Sequence, residues 1–195
     1  YIRRPTHRNT SWDIARFEVA AQKYVDLSDY DRGVALLNDC KYGHKIHRNL
    51  IDLNLLRSPT YPDPDADKGF HEFCYVFYPH RYSFLQSDVI QQALQMNHAP
   101  ILFPGKRSLE LHPPIKANGQ NVGLEVLKRA EKEACWVIRL VERFGCSSQT
   151  EVELFNPKTR LQETDLMEWN DHKMIFSGNV ILEFKPFEIR TFKIR

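Results

Sequence analysis

The sequence is poor in the features that announce a chemistry. Four cysteines in 195 residues, Cys40, Cys74, Cys135 and Cys146, stand too far apart for a Cys-x-x-Cys pair or a Cys/His ligand cluster. That spacing argues against a zinc ribbon and against a disulfide-dense scaffold. The thiols read as buried or half-buried free cysteines of a reduced, cytoplasmic protein. With eight glycines, the chain has no glycine-rich phosphate loop, and no Gly-x-Ser-x-Gly elbow occurs. No apolar run approaches the ~20 residues that a membrane-spanning helix requires. Twenty-seven basic residues stand against 25 acidic ones, a net charge of +2. This balance gives no electrostatic case for nucleic acid or an anionic membrane as a partner. The first residues carry no secretory signal pattern and begin without Met, so the sequence reads as a piece of something longer.

What is present is a pattern of short strands. At 42% hydrophobic and 12% aromatic residues the chain can bury a core. Residues 1–13 read as an incoming loop with Trp12 anchored on a sheet. Strands are expected at 16–19 and 22–26. The run Val34 to Leu37 suits a strand covered on both faces, ending in an Asn38-Asp39 turn that Gly43 closes. Residues 47–56 and 70–79 alternate as strands do. Between them lies a long Pro/Asp loop from Ser58 to Gly69, a length that ordered loops seldom reach without serving a site. Leu85, Val89, Ile90, Ala93, Leu94 and Met96 recur at helical spacing, with Ser87-Asp88 as cap, and give the one convincing helix, near 85–97. Pro104-Gly105, Pro113-Pro114 and Asn118-Gly119 then mark a linker and boundary, placing one domain at 1–103 and a second at 104–195. Further strands follow at 122–130, 134–142, 149–154, 160–165, 173–176, 180–184 and 188–194, with turn signals between them. The fold class is mainly β, a sandwich with one helix.

Candidate chemistry is thin. His44 and His47 fall short of the i, i+4 spacing of a helical zinc pair, and the segment reads as turn and strand, so no metal ligands are assigned. Asp63, Asp65 and Asp67 cluster in the long loop. They read as a solvated acidic loop, or as a clamp for sugar hydroxyls. The remaining EF-hand positions are missing, which argues against calcium. The turn Asn38-Asp39-Cys40-Lys41-Tyr42-Gly43 gathers amide, carboxylate, ammonium and phenol groups, the set that grips sugar hydroxyls, with Tyr able to stack on a pyranose. A structural turn explains the same residues equally well. No His and Asn near Cys40 support a cysteine nucleophile. Trp136, between apolar neighbours, reads as core, and Trp169 as exposed.

Taken in order, several pieces resemble the C-terminal half of glycoside hydrolase family 38, the α-mannosidases, in its cytosolic and bacterial branch. They are Arg4 to Asp13, Ala15 to Val19, Asp26-Leu27-Ser28, Ala35 to Gly43, Leu55 to Thr60, Pro62-Asp63-Pro64 with Ala66-Asp67, Pro79-His80, Leu127 to Glu131, Arg139-Leu140 and Pro186 to Ile189. The resemblance implies a retaining mannoside hydrolase whose nucleophile and zinc ion sit in an α/β barrel upstream, so no catalytic or metal residue is carried onto this chain. It implies that residues 1–103 are the late part of a large β-sandwich, lacking sheet partners if isolated, and that 104–195 are the small terminal sandwich. The expected role is to buttress the catalytic barrel and shape the substrate cleft, with Asn38, Asp39, Lys41, Tyr42, Arg57, Asp65 and Asp67 as the cleft-facing groups. The expected partners are the remaining domains of the same enzyme and α-mannoside glycans, with a homo-oligomer allowed. A stand-alone carbohydrate-binding module or an oligomerisation domain is the alternative.

Overall fold

A computed structural model describes residues 1–105, 115–156 and 158–195. Chain contacts divide it into two units, Ile2–Pro104 and Gly105–Arg195, the latter joined by Tyr1.

The first unit opens with a short helix α1 (Ser11–Ala15), where an anchoring loop was expected. Thr10 and Asp13 form a reciprocal capping box, each satisfying a backbone donor of the other's segment. Trp12 is 73% exposed and anchors nothing. Strands β1 (Val19–Ala20), β2 (Tyr24–Ser28), β3 (Arg32–Asn38), β4 (Gly43–His47), β5 (Leu50–Leu53) and β6 (Tyr75–Arg81) follow. They form two antiparallel three-stranded sheets, β1-β4-β5 and β2-β3-β6. The expected strand 47–56 shortens to β5 and forms the second arm of a hairpin with β4: His47 pairs with Leu50 across a two-residue turn, with Arg48 at φ 54. Phe70 to Cys74 stay outside the ladder, so β6 starts later than its alternation suggested.

The helix expected over 85–97 divides into a 3₁₀ turn (Phe84–Gln86) and α2 (Val89–Asn97). Its N-cap is Asp88, whose carboxylate is drawn away by the Tyr78 hydroxyl and the Gln92 amide and caps no backbone N–H. Helix α2 lays Val89 and Ala93 against Ala35 and Leu37 of β3, with Tyr24, Tyr78, Phe84 and Met96 around them.

The second unit holds β7 (Ile115–Asn118), β8 (Val122–Arg129), β9 (Trp136–Glu142), β10 (Ser148–Leu154), β11 (Arg160–Thr164), β12 (Asp171–Ser177), β13 (Val180–Phe184) and β14 (Ile189–Ile194). Strand β7 occupies part of what read as linker; Pro113-Pro114 lie outside the described residues. Two antiparallel sheets, β13-β10-β7 and β12-β11-β14-β9-β8, face each other as a sandwich. Their inner faces supply one core: Ile115, Val152, Leu154, Leu182 and Phe184 from the first sheet, and Val122, Ile138, Leu140, Leu161 and Phe192 from the second. Each large side chain so buried contributes roughly 1.5–3 kcal/mol. Trp136 is not core. It begins β9 half exposed, with the Arg129 guanidinium 4.8 Å from its ring centroid. Trp169 is exposed under Lys132.

Candidate functional site

The turn after β3 is held from below. Asn38 is buried. Its Oδ1 accepts the Lys41 N–H at 2.8 Å, and its backbone O accepts Asn97 Nδ2 from the end of α2 at 3.1 Å. Its Nδ2 lies 3.4 Å from Nε2 of His44, which is also buried. His44 Nδ1 lies 3.2 Å from the Tyr42 carbonyl. A neutral imidazole protonated at Nδ1 satisfies both contacts, donating to Tyr42 and accepting from Asn38. Burial pushes the His44 pKa down, against the Tyr42 carbonyl, in agreement with that neutral form. Asn38 and His44 therefore form a clip beneath the turn, and Asn38 has little left to offer a ligand.

Above the clip the side chains are more open. The Asp39 carboxylate receives the Cys74 N–H at 3.2 Å from each oxygen. Its pKa is held below the usual range by the Cys40 thiol first and the Cys74 N–H second. The Lys41 ammonium lies 5.2 Å from the Phe73 ring centroid, and Tyr42 is half exposed. Phe73 and Cys74, just before β6, thus frame the turn. Sequence reading missed these two framing residues, and it missed His44 and Asn97 beneath; only the burial of His44 and the helix-end position of Asn97 set them apart.

The other candidates lie on the long loop. Asp67, at φ 58, accepts the Ser58 N–H at 2.9 Å and closes the loop's base. Asp63 accepts the Asp65 N–H at 2.9 Å, and Asp65 pairs with Lys68. Arg57 is exposed, and no described residue forms an ion pair with it. Among the described residues, no hydrogen bond or ion pair joins Arg57, Asp65 or Asp67 to the turn. Nor does any group of three His, Cys, Asp or Glu side chains converge in a way that could hold a metal ion. A zinc ion of the kind the resemblance implies for the enzyme does not fit these residues. Cys40 and Cys74 are exposed rather than buried, and all four cysteines are free. Two concave spaces lie elsewhere. A depression of about 640 Å³ is lined by Ser28, Arg32, Gly33, Arg48, Pro79 and His80, and one of about 730 Å³ by residues including Gln149, Glu183 and Lys185. Asp39 and Tyr42 are exposed, so a cleft there needs a second wall.

Antiparallel sheets, one helix-backed sheet in the first unit and a sandwich core in the second define a mainly β protein. Residues 1–65 match the glycosyl hydrolases family 38 C-terminal domain, and residues 121–192 match the family 38 C-terminal beta sandwich domain. The chain belongs to the C-terminal region of glycoside hydrolase family 38. It is similar to alpha-mannosidase G of Dictyostelium discoideum, 39% identical over 99% of this chain and 19% of that protein. It is also similar to alpha-mannosidase 2C1 of Mus musculus, 38% identical over 98% of the chain and 19% of that protein. The alpha-mannosidase of Saccharomyces cerevisiae is 35% identical over 98% of the chain and 20% of its own length. The chain therefore spans about a fifth of these relatives. An alpha-mannosidase structure from Enterococcus faecalis superposes with a TM-score of 0.75, covering 97% of this chain and 22% of that one at 19% identity.

Proposed function

We propose that this chain is the non-catalytic C-terminal β portion of an α-mannosidase, and that it supports the catalytic domain and supplies one wall of the substrate cleft. The observation that carries the reading is the match itself. Relatives named alpha-mannosidase align with nearly the whole chain at 35–39% identity, yet the chain is only about a fifth of each. Hydrolysis of α-mannosidic bonds, and a zinc ion taking part in it, then belong to the remaining four fifths. The partners are those remaining domains and, through them, α-mannoside glycans. Four free cysteines support a reducing, cytoplasmic setting. In the turn, Asp39, Lys41 and Tyr42 face the glycan, while Asn38 positions them from below. Arg57, Asp65 and Asp67 line the approach.

The test uses the full-length enzyme and an aryl α-mannoside. Asp39→Ala and Tyr42→Ala lower kcat/KM by roughly tenfold, the loss of about 1.4 kcal/mol of transition-state binding, with the melting temperature held. The exposed control Tyr30→Ala leaves the rate unchanged. Equal rates for all three variants remove the cleft assignment. A full-length protein without α-mannosidase activity, or turnover by the 195-residue chain alone, removes the reading as a whole. Glycan affinity of the isolated chain would favour a carbohydrate-binding module instead.

A further inference from the structure

Two of the four cysteines share a neighbour. Asp39 follows the last residue of β3, and Cys74 precedes the first of β6. The Asp39 N–H donates to the Cys74 carbonyl at 3.3 Å, and the Cys74 N–H donates to the Asp39 carboxylate at 3.2 Å from each oxygen. The ladder pairs Asn38 with Tyr75, and these bonds carry it one residue further, with Asp39 and Cys74 directly opposite. Residues bonded in this way hold their Cα atoms about 5.5 Å apart. Cys40 is one step of about 3.8 Å along the chain. The backbone bends there, tied back by the Lys41 N–H on Asn38 Oδ1. The Cα atoms of Cys40 and Cys74 are thus roughly 6–7 Å apart, at the upper end of the span of about 4.4–6.8 Å that a disulfide bridges.

The two thiols differ in their surroundings. Cys40 sets its thiol against the Asp39 carboxylate, which pushes its pKa up and keeps it protonated. Cys74 meets that carboxylate through its backbone alone, and among the described residues no hydrogen bond restrains its thiol. Both side chains are exposed, so each can turn about its first torsion without meeting a core. The thiolate is the nucleophile, and exposure without a bonded carboxylate singles out Cys74 as the first to react. Cys135 and Cys146 differ from both. They are half-buried in the other unit, and burial pushes each thiol up in pKa.

We propose that Cys40 and Cys74 form a reversible redox modification site: a small disulfide of the glutathione class closes a Cys40–Cys74 bond, the closed turn slows the enzyme, and a thiol reopens it. The Cys74 thiolate attacks one sulfur of the small disulfide. That S–S bond breaks, one half leaves as a thiolate that takes up a proton, and Cys74 is left in a mixed disulfide. Cys40 then gives its proton to water and attacks the Cys74 sulfur, and the other half leaves as a second thiol. Two protein thiols are oxidised, and one small disulfide is reduced to two thiols. Closure takes the Cys40 thiol off Asp39. It also ties the turn to the residue after Phe73, whose ring Lys41 already meets. In the reducing setting proposed above, disulfides are of this transient, sensing kind. The inference rests on the reading that Asp39, Lys41 and Tyr42 face the glycan, and it adds how that turn is regulated.

The experiment treats the full-length protein with oxidised glutathione, caps the remaining thiols with iodoacetamide and maps unreduced peptides by mass. The expected result is a peptide linking Cys40 to Cys74, lighter than its two parts by two hydrogens. With it, kcat/KM on an aryl α-mannoside falls at least about threefold and returns on adding dithiothreitol. Cys40→Ser and Cys74→Ser each keep their own starting rate through the treatment, and the wild-type peptide map decides the matter if either fails to fold. Glutathione left on a single cysteine, a bond to Cys135 or Cys146, or a link between two molecules overturns the inference. The Asp39→Ala rate separates the two ideas. Where that variant is slow, a missing bond, or a bond that leaves the wild-type rate unchanged, sinks this inference alone. Where that variant matches wild type and the bond still forms, the functional reading of the turn falls and the modification site stands.

Discussion

Glu142 is the position at which one atom pair holds most structure. The side chain is fully buried at the end of β9. Its carboxylate accepts the N–H groups of Phe144 at 2.9 Å, Gly145 at 2.7 Å and Phe187 at 2.9 Å, with the Cys146 thiol at 3.6 Å. Burial pushes the carboxyl upward in pKa, but these donors outweigh it and hold it below its usual value. Hydrogen bonds to charged groups contribute about 1.5–3 kcal/mol each, and an orphaned buried donor costs about 1–3 kcal/mol. Glu142→Gln turns an NH₂ toward backbone donors and loses one or two bonds, a cost of about 2–3 kcal/mol. Glu142→Ala orphans three backbone donors and costs about 3–5 kcal/mol after partial solvent entry. At a urea slope of about 1–3 kcal/mol/M, the Gln variant lowers the midpoint by roughly 0.7–3 M. The transition is read by tryptophan fluorescence in a Trp12→Phe background, so that Trp136 and Trp169 report the second unit alone. The folded pKa is depressed, so this contribution is complete above the unfolded value of 4.5 and is lost as pH falls through the folded one. The gap between wild type and Glu142→Gln must therefore narrow in acid. A Gln variant within about 0.5 kcal/mol of wild type at neutral pH, or a gap that does not change with pH, refutes the argument.

Four further outcomes are expected. Asn38→Ala destabilises the first unit by about 1–3 kcal/mol through the orphaned Lys41 N–H and His44 ring, seen as a lower melting temperature. Because the His44 pKa is depressed, the neutral-imidazole contribution is present above 6.5 and declines as pH falls through the folded value, a slope that His44→Gln abolishes. Lys193, buried between Glu133 and Asp171 at 2.5 and 2.7 Å, tolerates Met within about 1 kcal/mol because Arg195 still meets both acids, whereas Ala loses about 2–3 kcal/mol of packing in urea titration. Gly145→Ala costs at least about 2 kcal/mol by the same titration, since the residue sits at φ +68 and a Cβ would meet the Phe187 ring at 2.4 Å.

Several features were legible in the sequence, and each had a local cause. The run Val34 to Leu37 became β3, and the 3.6-residue recurrence from Val89 became α2, because burial on a nearby surface leaves a periodic trace. The hairpin at Arg48-Asn49 was not legible, because the turn lacks the glycine that marks a two-residue loop. Helix α1 was announced only by Thr10 and Asp13, three residues apart, with no apolar stripe behind them. Trp136 carried core-like neighbours, yet its ring faces out under Arg129. Chemical type picked out the turn residues 38–42 without telling the buried Asn38 from the open Tyr42. That distinction comes from Asn97, 59 residues away, and no local pattern encodes it.

In the five-stranded sheet the order β12-β11-β14-β9-β8 puts the last strand of the chain in the middle. During synthesis the β8-β9 and β11-β12 hairpins emerge first, each with one bare flank and no bond to the other. Phe192 and Lys193, both buried, follow all four of those strands along the chain. The second unit can close its sandwich only after those residues leave the ribosome, by a long-range pairing that is intrinsically slow. A stalled or clipped product lacking them would present two unmated hairpins to quality control.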